Sequence, residues 1–107
     1  MDGCQSIAGS RELSLSNGGK VMISLGMPTL LKEGDSSYRC WYQISGLNEE
    51  ESGRVVGGDA LQSLQLALIK VGAILYTCPE WRNNLLSWNG DRDLGFPLPE
   101  SLRDLQP

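Results

Sequence analysis

Gly57-Gly58-Asp59-Ala60-Leu61-Gln62-Ser63-Leu64-Gln65-Leu66-Ala67-Leu68-Ile69-Lys70-Val71-Gly72-Ala73-Ile74-Leu75-Tyr76-Thr77-Cys78-Pro79 is the stretch that decides the fold. The paired glycines break whatever precedes them. Asp59 stands where an N-cap belongs, and Gln62 follows three residues later in a capping-box pattern. At about 100° per residue, Ala60, Leu61, Leu64, Ala67, Leu68, Val71, Ile74 and Leu75 gather on one broad apolar stripe. Gln62, Ser63, Gln65 and Lys70 fall opposite. Pro79 has no N–H and stops the helix near Thr77 or Cys78. The spacing therefore predicts one helix over about 59–77, and its stripe needs a sheet to lie on.

The N-terminal half supplies strands. Leu13 and Leu15 alternate with Glu12, Ser14 and Ser16, and Val21, Ile23 and Leu25 resume the alternation after Asn17-Gly18-Gly19. That pattern predicts a hairpin over 11–26, ended by Gly26 and Pro28. Residues 28–37 read as a loop. Tyr38 to Ser45 is a third strand, with Tyr38, Cys40, Tyr42 and Ile44 on one face and Arg39, Trp41, Gln43 and Ser45 on the other. Asn48 to Gly53, with Glu49-Glu50-Glu51, is polar enough for a solvated turn. Residues 54–56 and 85–88 are candidate short strands. The expected architecture is α+β: a two-layer domain in which an antiparallel sheet of three to five strands packs on one main helix. Residues 1–107 make a single domain, with 1–10 and 100–107 loose.

Bulk chemistry excludes several functions. The 107 residues carry thirteen acidic and nine basic groups, a net charge of −4, and no histidine. Without histidine there is no Ser-His or Cys-His nucleophile, and the commonest zinc ligand and general base are missing. Residues 1–56 hold five basic and seven acidic groups and residues 57–107 hold four and six, so each half is −2. A chain with no basic arm is not expected to bind nucleic acid. The longest apolar region, Leu64 to Tyr76, is broken by Gln65 and Lys70 and is too short to span a bilayer. No membrane association is expected. Cys4, Cys40 and Cys78 are widely spaced, as reduced thiols in a cytoplasmic protein would be. Asp2 replaces the glycine that myristoylation requires.

No motif carries a cofactor. Asp91 and Asp93 could face a divalent cation, but no further oxygen ligands follow at fixed offsets, and a turn explains both. Gly57-Gly58-Asp59 outlines an anion-binding turn, yet Asp59 would repel a phosphate there. Cys40 and Cys78 read as small core residues without a neighbouring base. No catalytic, cofactor or metal residues are assigned.

Two surfaces remain. Trp41, flanked by Arg39 and Gln43, falls on the strand face away from the helix, and Trp beside Arg is the composition of a binding hot spot. Cross-strand packing is the structural alternative. Leu66, Ile69 and Tyr76 place apolar bulk on the helix flank opposite the main stripe. Either a partner meets that flank or the C-terminal segment, with Trp81, Leu85, Leu86, Trp88 and Phe96, folds back over it.

The run Gly58 to Leu68, followed by Leu86-Ser87-Trp88-Asn89-Gly90 and Asp93-Leu94-Gly95-Phe96-Pro97, resembles a family of small uncharacterised bacterial proteins. The resemblance covers about the second half of the chain and implies an N-terminal sheet, a glutamine-bearing helix and no transferable catalytic residues. The size and layout are also similar to those of immunity or antitoxin proteins. The expectation that follows is a non-enzymatic protein-interaction module, binding an unknown protein partner or itself as a homo-oligomer. The competing expectation is a small enzyme or ligand binder that brings carboxylates and tyrosines together in a pocket.

Overall fold

The computed structural model describes residues 6–32, 34 and 36–105. Strands β1 (Ile7–Leu15) and β2 (Lys20–Gly26) form the hairpin, followed by β3 (Thr29–Leu30), β4 (Tyr38–Ser45) and β5 (Glu51–Gly57). Helix α1 (Ala60–Thr77) comes next, then the single turn α2 (Pro79–Arg82), β6 (Leu86–Ser87) and a 3-10 helix over Glu100–Leu105.

The fold is α+β, with an antiparallel sheet packed on one main helix, as the alternation predicts. The sheet has six strands rather than three to five. Its order is β3-β4-β2-β1-β6, with β5 on the other edge of β4. Strands β2 and β3 share one edge of β4: Met22–Leu25 pair with its residues 42–45, and Thr29–Leu30 with its residues 38–39. Pro28 explains the break, since it has no N–H to give a ladder. The region expected to be a loop thus returns to the sheet two residues after β2 ends.

Other boundaries move outward. Residues 7–10, expected to be loose, belong to β1, and Ile7 pairs with Gly26. Met1 to Gln5 lie outside the described residues. Strand β5 is seven residues long and includes Glu51, because it follows β4 along nearly its whole length, from Tyr38↔Gly57 to Ile44↔Glu51. At the hairpin tip only Gly18 takes positive φ, +93°, and the Asn17 side chain accepts from the Gly19 N–H at 2.8 Å.

Helix α1 is capped nearly as its sequence spells. Asp59 Oδ1 accepts from the Gln62 N–H at 2.8 Å, while Gln62 Oε1 reaches past the cap to the Gly58 N–H. Two helix positions differ from the expected faces, one on the stripe and one opposite it. Leu61 is 78% exposed, and Ser63 is fully buried. Ser63 satisfies its hydroxyl on the Ala60 carbonyl at 2.8 Å, and its backbone lies where a side chain on Gly57 would stand. The close approach of β5 needs a small residue there, and a self-satisfied serine costs little to bury. By length and mean hydropathy, 1.3 over eighteen residues, α1 could also cross a membrane. Here its buried residues Ala67, Val71, Leu75 and Tyr76 join the core under the sheet instead.

A helix about 10 Å across cannot cover a sheet roughly 20 Å wide. Helix α1 lies over β4 and β5, and the chain after α2 covers the β1–β2 side. Arg11 donates to the carbonyls of Leu94 and Gly95 at 3.0 and 3.2 Å, with its guanidinium 3.8 Å from the Trp88 ring centroid. Leu94, Phe96 and Leu98 complete the core. The terminal 3-10 helix continues this ordered segment where fraying was expected: Leu102 and Leu105 pack against the core.

Candidate functional site

The outer face of the sheet, turned away from α1, holds a groove of about 800 Å³. Alternation along β4 builds it. Cys40, Tyr42 and Ile44 are buried toward the helix, so Arg39, Trp41 and Gln43 point the other way. Arg54 is the partner of Trp41 across the β4–β5 ladder, and Ser52 is the partner of Gln43. Ile7, 58% exposed, closes the far wall. The three β4 residues picked out for this face are therefore brought together, and Arg54 and Ser52 join them.

Trp41 is half-buried because of a glycine on the neighbouring strand. Its indole occupies the space in which a Cβ on Gly26 would stand. The ring is thereby held down on the sheet between β4 and β2 and remains a wall of the groove. Arg39 Nε donates to the Thr29 hydroxyl at 3.3 Å, which ties its guanidinium to β3. Among the described residues, neither Arg39 nor Arg54 is paired with a carboxylate, and the groove lining has no Asp or Glu. The groove is locally basic in a protein of net charge −4.

The helix-flank group divides between the two alternatives. Tyr76 is fully buried, whereas Leu66 is 37% exposed and Ile69 half-buried. The returning chain is the reason. The Leu94 N–H donates to the Tyr76 hydroxyl at 2.8 Å, and that hydroxyl donates to Asp93 Oδ1 at 3.2 Å. One turn back, Gly72 lies against the Pro97 carbonyl. The C-terminal segment thus covers the Gly72–Tyr76 side and leaves Leu66 uncovered.

Burial pushes the Tyr76 hydroxyl above its ordinary value, and the neighbouring Asp93 charge adds to this. Burial also raises Tyr42, with Glu51 contributing, and the thiols of Cys40 and Cys78. All four groups are held neutral at neutral pH, which makes the thiols poor nucleophiles. Asp91 and Asp93 serve the turn. The Asp93 N–H donates to Asp91 Oδ1 at 3.0 Å, and the Gly95 N–H to Asp93 Oδ1 at 2.9 Å. Among the described residues no group of three or more acidic or thiol side chains is placed to hold a metal.

Among the smaller clefts, two of similar size escape the sequence. One, of about 300 Å³, lies between β1 and the returning chain, lined by Ser10, Ile23, Leu25, Leu68 and Phe96. The other, also about 300 Å³, holds Glu49, Glu51, Glu80 and Cys78, and the Asn48 N–H donates to Glu80 at 2.7 Å. No tyrosine lines it. Both depend on contacts across at least 23 residues of chain, for which alternation along a strand gives no signal.

Residues 9–98 match the model of a family described as a domain of unknown function (DUF6968). The chain belongs to that family, which agrees with the uncharacterised family its C-terminal motifs resemble. No curated protein and no solved structure matches it.

Proposed function

We propose that this protein is a non-enzymatic protein-interaction module of the cytoplasm, and that its contact surface is the outer sheet face around Trp41. The seating of Trp41 on Gly26 carries this proposal. A half-buried tryptophan flanked by two arginines, in a groove open to solvent, has the composition and preorganisation of an interface hot spot. Among the described residues, the same groove offers no carboxylate or thiol to act as acid, base or nucleophile. An immunity or antitoxin protein would be one form of such a module.

A photo-crosslinking amino acid placed at Gln43 in the native cells tests the proposal, with Gln65 on α1 as the control position. Both side chains are exposed. A discrete protein adduct from position 43 and none from position 65 is expected. No adduct at position 43, or equal adducts at both, would overturn the proposal.

A further inference from the structure

Arg39 and Arg54 give the groove a charge opposite to that of the protein that carries it. The molecule has four more acidic than basic groups. Here two guanidinium groups lie on the same sheet face, on adjacent strands, with Trp41 next to both and no carboxylate among the described residues of the lining. Ser52 and Gln43 add a hydroxyl and an amide along the same wall. We infer that the groove takes an acidic segment of a partner protein, in which successive same-face Asp or Glu side chains meet Arg39 and Arg54 beside Trp41. The inference builds on the contact surface proposed above and names the chemistry of its partner.

Several facts favour this occupant. The guanidinium fork matches a carboxylate with two parallel hydrogen bonds. The Arg39 Nε bond to Thr29 leaves the terminal nitrogens of that fork for a ligand. Successive side chains on one face of an extended segment lie roughly 7 Å apart, which suits sites distributed over two neighbouring strands. A nucleic-acid strand would meet two cations here and a net negative charge elsewhere, a poor balance for a polyanion. In a two-fold dimer through this face, a second copy of this chain would bring the same arginines to the contact.

The probe is an acetylated, amidated hexapeptide of alternating Leu and Glu, with its Leu-Lys counterpart and ATP as comparisons. The indole N–H resonance of Trp41, assigned by its loss in Trp41→Phe, reports on the groove. The Leu-Glu peptide is expected to shift it, along with the amides of Gln43 and Arg54. Arg54→Gln and Arg39→Gln are each expected to weaken binding by about fivefold, and raising salt is expected to weaken it further. Arg54 makes no hydrogen bond to another described residue, so its replacement leaves the fold unchanged, which circular dichroism verifies.

Equal response to the Leu-Lys peptide, tighter binding of ATP, or no binding of the Leu-Glu peptide would overturn the inference. So would a homodimer in light scattering that Arg54→Gln dissolves, since the occupant would then be a second copy. An adduct trapped at position 43 together with any of these peptide results leaves the contact surface standing and removes only the acidic segment.

Discussion

Gly26 and Trp41 form one structural unit: the glycine on β2 leaves the space that the indole on β4 fills. A methyl group at position 26 cannot share that space. Gly26→Ala is expected to lift the indole off the sheet and to cost about 1–3 kcal/mol of stability. A red shift of the Trp41 emission and a lower urea midpoint are the observables. An unshifted spectrum would mean that the ring is not held there.

Tyr76 fastens the returning chain to α1. Removing its hydroxyl strands the buried Leu94 N–H, so Tyr76→Phe is expected to cost about 1–3 kcal/mol. The Leu94 amide is expected to exchange with solvent markedly faster, and its exchange rate measures this directly. Unchanged exchange at Leu94 would contradict the latch.

Arg11 fastens the same segment from the sheet side. Its guanidinium lies over both Trp88 and Phe96 and donates to two tail carbonyls. Arg11→Met keeps the aliphatic stem and removes the charge and the donors. A loss of about 1–2 kcal/mol is expected, with faster proteolysis between Trp88 and Leu98.

High pH is expected to destabilise the fold. The hydroxyl of Tyr76 and the thiols of Cys40 and Cys78 have raised folded-state pKa values, against ordinary values of 10.0 and 9.0. A raised value means that the unfolded chain loses its proton first. The stability these neutral groups contribute is complete below pH 9 and falls as pH rises through 9 and 10 toward the folded values. Urea midpoints measured between pH 7 and pH 10.5 check this, and the Cys40→Ala, Cys78→Ala double variant is expected to show a shallower decline.

Much of this architecture is legible in the sequence because its signals are local. The β1–β2 alternation, the Asp59 cap and the Pro79 stop each act within a few residues. The outward direction of Trp41 follows from alternation along β4 alone. Its seat on Gly26 does not, since that depends on the pairing of β2 with β4. The boundaries that moved have non-local causes as well: β3 exists because β4 has an edge left over beyond Pro28, and β5 extends to Glu51 because β4 is there to pair with it. Tyr76 misleads at the sequence level because its helix flank is apolar whether a partner or the chain itself covers it. Only the return of Asp93 and Leu94, seventeen and eighteen residues later, decides which.

The affinity of the partner trapped at position 43 for wild type and for Trp41→Ala, measured by calorimetry with the stability of both proteins in hand, tests the central claim most directly. A tryptophan at the centre of an interface is worth at least about 1.4 kcal/mol, so the variant is expected to bind at least about tenfold more weakly while unfolding at a similar urea concentration. Equal affinity for the two proteins would contradict the account.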